Sequence, residues 1–228
     1  MKKIKIKDIS FEVSETISLN GDIEFIDYYD TSNVTDGVFS NPERLFINKD
    51  KIPSRARKKA KNEDIIYSQV RPNLKHYGFL QNLNENNSVF STGYSIIRAN
   101  EKINPYYLYL VLTQEGITSH LVNISNTSTS SYPAINSSDI FNIEIEIFKN
   151  KNYQSKIANL IKNYKNSIDL NTNLILKLNH YLTVLYNYWF TQFDFPYENG
   201  KPYKSSGGKM VWNEKLKREI PEGWKVQT

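Results

Sequence analysis

The sequence predicts an α+β protein, with a strand-rich domain over residues 1–150, a long coiled-coil helix over 151–193 and a linker over 194–228. Three observations predict it. The first 150 residues carry short alternating or β-branched apolar runs, broken by clusters of Asn, Gly, Pro and Ser, which is how strands and their turns read. After Asn152 the apolar residues settle into a helical period and hold it to Trp189. Phe195-Pro196 then closes the helix, because the residue before a proline is driven out of the α region.

Taken in order, the runs at 4–9, 23–28, 64–70, 94–98 and 143–148 are the clearest strands. One helix interrupts them. Asn104 and Pro105 suit the N-cap and first helical position, and 106–112 continues as an apolar helical stretch. A shorter helix or turn follows over 114–122.

Within the long helix, steps of four and three residues meet Ile157, Ile161, Tyr164, Ile168, Asn171, Ile175, Leu178, Leu182, Leu185 and Trp189. Only Asn171 is polar. An apolar seam on a 3.5-residue repeat marks a coiled coil, and one polar seam residue is a device for fixing register and partner number. The plainer alternative is an amphipathic helix packed on its own domain. Against it stands length, since about 55 Å of helix exceeds the width of a domain of about 150 residues. The seam therefore predicts a homodimer through the helix.

Beyond the helix lies a polar segment, 197–209, with Ser205-Ser206-Gly207-Gly208 as its most flexible part. Residues 220–226 look like the entry into another folded unit.

Composition bounds the function classes. The 228 residues include 29 Lys+Arg against 24 Asp+Glu, a mild basic excess that proves little until its placement is known. With no cysteine, disulfide frameworks, thiolate metal sites and thiol nucleophiles are excluded. The N-terminus alternates Lys and Ile without the apolar core of a signal peptide, and no apolar run approaches the roughly 20 residues that cross a bilayer. A cytoplasmic, non-membrane protein is expected.

The charge concentrates between Asn41 and Leu80, where ten basic residues face Glu43, Asp50, Glu63 and Asp64. The run from Arg55 through Arg57, Lys58 and Lys59 to Lys61 reads as a solvated helix or loop on the bland view. Phosphate contact is the sharper reading, because Gln69, Arg71, Asn73, Lys75, His76 and Tyr77 follow closely. These side chains donate to phosphate oxygens and, for Gln, Asn and Arg, to base edges. Arg55, Arg57, Lys58, Lys59, Arg71 and Lys75 are the candidates for backbone contact, and Gln69, Asn73 and Tyr77 for sequence reading. The hydroxyl-rich segment 125–133 is either a flexible linker or a second binding loop, with Ser128, Thr129, Ser131 and Tyr132 as its candidates.

Enzymatic readings find little footing. The nine glycines never fall in the G-x-G spacing that holds an adenosyl cofactor. Asn104-Pro105-Tyr106-Tyr107 resembles the Asn-Pro-Pro-Tyr motif of amino-methyltransferases but lacks its second proline, and helix capping accounts for the same residues. Neither Glu63-Asp64 nor Glu144 with Glu146 has the third carboxylate and lysine of a metal-dependent nuclease. His76, His120 and His180 show no ligand spacing. No cofactor or metal is expected; a small nuclease or methyltransferase without recognisable motifs is the rival, and a coiled-coil adaptor binding protein alone a third reading.

At this point residues carry a family likeness. Ile52-Pro53-Ser54-Arg55-Ala56-Arg57-Lys58-Lys59 through Val70-Arg71-Pro72, Ser91-Thr92-Gly93-Tyr94-Ser95, Pro133-Ala134-Ile135-Asn136 and Gln154-Ser155-Lys156-Ile157-Ala158 resemble the target-recognition domain and following helix of specificity subunits from type I restriction-modification enzymes. The tail, with Asp194-Phe195-Pro196, Gly200-Lys201-Pro202-Tyr203-Lys204-Ser205-Ser206-Gly207-Gly208 and Ile220-Pro221-Glu222-Gly223-Trp224, is similar to their central region and is the most specific part. The resemblance implies a non-catalytic subunit that selects a bipartite site on double-stranded DNA and positions methyltransferase and endonuclease subunits there. Family members pair two recognition domains through two antiparallel helices. This sequence carries one of each, the half-length form, which is either a natural half-subunit or a piece of a longer chain.

Overall fold

Strands dominate the first part of the chain, as its short β-branched runs require. In the computed structural model, which describes residues 1–18, 23–127 and 133–226, they are β1 (Lys2–Lys5), β2 (Ser10–Glu12), β3 (Phe25–Tyr29), β4 (Val34–Thr35), β5 (Val38–Phe39), β6 (Glu43–Phe46), β7 (Ala56–Lys58), β8 (Ile65–Ser68), β9 (Tyr77–Phe79), β10 (Ser88–Ser91), β11 (Tyr94–Ala99) and β12 (Glu144–Ile147). The helices are α1 (Pro105–Leu112), α2 (Glu115–Asn126), α3 (Ser137–Phe141) and α4 (Lys151–Tyr186), and a hairpin of β13 (Met210–Asn213) and β14 (Arg218–Pro221) follows. The chain divides into two compact units, Met1–Ile161 and Lys162–Thr228. The α+β class expected from the sequence is what folds, and no helix among the described residues is long and apolar enough to cross a membrane.

The first unit holds two four-stranded sheets, in the orders β6-β3-β10-β7 and β2-β11-β8-β9, and a β1-β12 pair. The chain crosses repeatedly between the two four-stranded sheets, with the shortest connection at Thr92-Gly93, between β10 and β11. One expected strand is broken. Residues 4–9 form the end of β1 and a 3₁₀ turn over Ile6–Asp8, because Ile6 and Ile9 are both fully buried. Three residues apart, they would face opposite sides of a continuous strand, and the turn brings both inward.

The largest core cluster packs Ile65, Tyr67, Phe79 and Ile97 of the second sheet against Tyr106, Leu108, Leu112, Leu121 and Ile140 of the helices. Asn104 caps α1 as expected, its side chain accepting from the Tyr107 N–H at 2.9 Å. The opening of α4 belongs to this unit: Gln154 and Ala158 are buried, and Gln154 accepts from the Asn104 N–H at 3.0 Å while donating to the Phe148 carbonyl at 2.7 Å.

In the second unit α4 passes into a π-helical turn over Asn187–Thr191, close to the end that Pro196 sets. The segment expected to be a linker is folded. Phe195 stacks between Tyr203 (4.8 Å) and Trp224 (5.5 Å), and the Arg218 guanidinium lies 4.6 Å over the Phe193 ring. Asp194 accepts from the Ser205 N–H and hydroxyl at 2.7 and 2.6 Å, and these donors hold its carboxyl below the usual range. Ser205 is thereby anchored, and the aromatic residues spaced through a polar segment supply the core that composition alone hides.

Candidate nucleic-acid interface

The centre of the basic run, Ala56–Lys58, is strand β7, and strand geometry sorts the charges on and beside it. Ala56 and Ala60 are buried while Arg55 and Arg57 are exposed and Lys59 half-buried, the alternation of a pleated backbone. Both edges of β7 are hydrogen-bonded, to β10 on one side and on the other to the chain at Glu15 and Ile17, whose partners are the Lys59 N–H and Arg57 carbonyl. The helix-or-loop reading is thus corrected at the centre of the run, where Ala56–Lys58 is strand, while the residues on either side are turn and irregular chain. Lys58 falls on the inner face, where its ammonium donates to the Tyr94 carbonyl at 2.7 Å and pairs with Glu12 at 3.4 Å. Arg55, Arg57 and Lys59 form no ion pair among the described residues.

The second cluster splits as well. Arg71-Pro72-Asn73-Leu74-Lys75 makes a tight 3₁₀ turn flanked by left-handed residues, with φ of 50° at Arg71 and 54° at Lys75. Such conformations are uncommon outside glycine and are held by their surroundings. Arg71 and Asn73 are exposed. The Lys75 ammonium is engaged by Glu115 at 2.8 Å, which raises its pKa. Tyr77 is buried, donating its hydroxyl to Asp36 at 3.0 Å, and burial raises its pKa further than that bond does. It offers nothing to a ligand.

The tertiary fold joins this turn to the hydroxyl-rich segment. Arg71 N–H donates to the Pro133 carbonyl at 2.9 Å, Ile135 N–H to the Gln69 carbonyl at 2.8 Å, and Val70 bridges Ala134. Ser128, Thr129, Ser131 and Tyr132 lie outside the described residues.

Gln69 itself enters a polar network. Its Nε2 donates to Ser137 Oγ at 2.7 Å and Ser95 Oγ at 3.2 Å, and the two hydroxyls are 2.6 Å apart. Ser137 donates in turn to Glu12 at 2.7 Å. Sequence reasoning missed Glu12, Ser95 and Ser137, which stand up to 125 positions apart and share no spacing signal. It also missed a polar cleft beside Arg55, lined by Tyr28, Asp30, Asn33, Asn41 and Glu43. No group of acidic or histidine side chains among the described residues could hold a metal ion.

Along α4 the seam divides in two. Ile157 packs on the main core cluster of the first unit, so the seam starts against the chain's own domain. From Tyr164 onward it faces solvent. Tyr164, Ile168, Ile175, Leu178, Leu182 and Leu185 are between 40% and 63% exposed, and Asn171 is exposed with them. Trp189 is half-buried, and with Leu182, Leu185, Tyr186 and Phe190 it lines an apolar groove. Ile161, at 41% exposed, marks the transition.

Comparison with known proteins returns the family likeness read from the residues. The chain is 28% identical over 194 residues to the specificity subunit of the type I restriction enzyme HindI from Haemophilus influenzae, across 85% of this chain and 41% of that subunit. It is 27% identical over 121 residues to the MjaIX specificity subunit from Methanocaldococcus jannaschii, across 53% of this chain and 25% of the other. Its fold is similar to the HsdS subunit from Thermoanaerobacter tengcongensis, with a TM-score of 0.62 and 21% identity over 92% of this chain and 52% of that one. No family model matches. The chain spans less than half the length of the curated relatives it matches.

Proposed function

We propose that this chain, a relative of type I restriction specificity subunits in sequence and fold, is a non-catalytic DNA-recognition subunit. Residues 1–150 act as a target-recognition domain on one half of a bipartite duplex site. The helix over 151–193 serves as a spacer and pairing element, and the assembly brings methyltransferase and endonuclease subunits to the DNA in a cytoplasmic setting. The observation that carries this reading is the union, in one chain, of a cationic strand face and a solvent-exposed apolar helix stripe. Among the described residues, Arg55, Arg57 and Lys59 form no ion pair, and the stripe from Tyr164 to Leu185 is exposed.

The DNA-facing candidates are Arg55, Arg57 and Lys59 on the β7 face, with Arg71 and Asn73 on the neighbouring turn. Replacing Arg55, Arg57 and Lys59 together with Gln is expected to weaken binding to all duplexes alike. At a slope near −0.9 per phosphate contact, the salt dependence of log K flattens by about 2.7. An unchanged slope in a titration across salt concentrations rejects this face. Incubation of the chain with DNA, magnesium and the adenosyl cofactor separates the enzyme rival, since a recognition subunit leaves the DNA uncut and unmethylated.

The partner expected for the stripe is a second copy, which would place two identical recognition domains in inverted orientation and demand a palindromic, split target. In that pairing Asn171 is the polar residue of an apolar seam. Its replacement by Leu should raise the melting temperature while broadening the distribution of oligomers, because seam polarity specifies register at some loss of stability. A less stable variant with one sharp oligomeric state in sedimentation counts against the seam.

A further inference from the structure

The network behind Gln69 has a direction, and that direction determines what Gln69 presents outward. It begins at Glu12, whose Oε1 accepts from Ser137 Oγ at 2.7 Å, from the Lys58 ammonium at 3.4 Å and from Ser95 Oγ at 3.5 Å. A glutamate carboxylate only accepts, and here it lies beside the Lys58 ammonium as its counter-charge. The Ser137 proton is therefore committed to Glu12. The Ser95 proton goes to Ser137 Oγ, 2.6 Å away, or to Glu12. With both hydroxyl protons spent, the serine oxygens can only accept from Gln69. Its amide must then turn Nε2 toward them, as found at 2.7 and 3.2 Å. Oε1, on the other branch of the planar carboxamide, is the acceptor that this lock leaves over.

Position adds the second half. Gln69 is half-buried, two residues before the exposed Arg71, and its own carbonyl takes the Ile135 N–H at 2.8 Å. The backbone on both sides of the side chain is thereby pinned where the Arg71 turn meets the outlet of the hydroxyl-rich segment. A glutamine free to flip offers a donor or an acceptor and discriminates little. One locked from behind offers a single kind of group, and among base edges in the major groove an acceptor finds its match in adenine N6 or cytosine N4.

We infer that Gln69 is a specificity-determining residue that accepts from a major-groove amino group of the target, and that Glu12, held by Lys58, is the positioning residue that locks its amide. The inference rests on the DNA-recognition reading above. It predicts one target position at which adenine and cytosine, the bases whose amino groups lie in the major groove, are preferred over guanine and thymine.

The test is selection of randomised duplexes by the full chain, followed by sequencing. Wild type should show that amino preference at one position, at roughly tenfold or more. Gln69→Met should reduce it below about threefold at that position with the others kept, whereas Gln69→Glu, which still presents an acceptor, should retain it. Glu12→Gln, which can donate and so lets the network reverse, should relax the same position. Loss of fold would depress every position together and is distinguished by that pattern. Full preference in Gln69→Met, or in Glu12→Gln, overturns the inference, as does a wild-type target with no such position. A wild type that enriches no sequence overturns the DNA-recognition reading itself.

Discussion

Asp64→Ala is expected to destabilise the first unit by about 3 kcal/mol, the scale for removing one partner of a buried ion pair. The carboxylate is fully buried and accepts from three groups: Arg98 Nε at 2.7 Å, Arg98 Nη2 at 2.8 Å and the Lys61 N–H at 2.8 Å. The forked contact is the geometry in which arginine and carboxylate bind most strongly. Removing Asp64 leaves the guanidinium without its main counter-charge and the Lys61 amide without an acceptor. Arg98 retains some solvent and a longer contact with Glu15 at 3.5 Å, which places the loss at the lower end of the range. Chemical denaturation reads the effect as a lower midpoint at unchanged slope. A loss below about 1 kcal/mol would show that water replaces the pair at little cost. The consequence reaches the proposed interface, because Asp64 heads the strand leading to Gln69 and Arg98 lies on the strand of Ser95.

The second large effect is expected on assembly. Leu178→Glu combined with Leu182→Glu places two charges on the exposed stripe, at residues 51% and 63% exposed in the single chain. If the stripe pairs with another copy, each leucine contributes about 2 kcal/mol of burial. Losing two from each helix, about 8 kcal/mol in all, weakens association by about a millionfold, before the cost of burying the new carboxylates. Sedimentation should show wild-type dimer and variant monomer at micromolar concentration, with the helical signal largely retained, since glutamate is a good helix former. Wild-type monomer under these conditions rejects the pairing outright. An unchanged dimer in the variant moves the interface off this stripe.

Much of the architecture was legible because it rests on periodicity. The 3.5-residue repeat after Asn152 marked α4, Pro196 marked its stop, and Asn104-Pro105 marked the start of α1, since each acts through contacts within a few residues. The strands centred on residues 26, 66, 96 and 145 announced themselves by β-branched runs in the same way. What sequence by itself could not determine was the side of each element that meets another. Lys58 is chemically equal to its neighbours Arg57 and Lys59, and only the pleat of β7, with Tyr94 and Glu12 behind it, turns it inward. Tyr77 and Lys75 had the right chemistry for a ligand and were claimed by Asp36 and Glu115. The folded tail escaped notice because its aromatic core is assembled from residues as distant as Phe195 and Trp224. Local sequence determined the elements through short-range sterics and capping. Hydrogen bonds and ion pairs between distant residues decided which candidate groups remained available, and those form only when the tertiary structure brings their partners together.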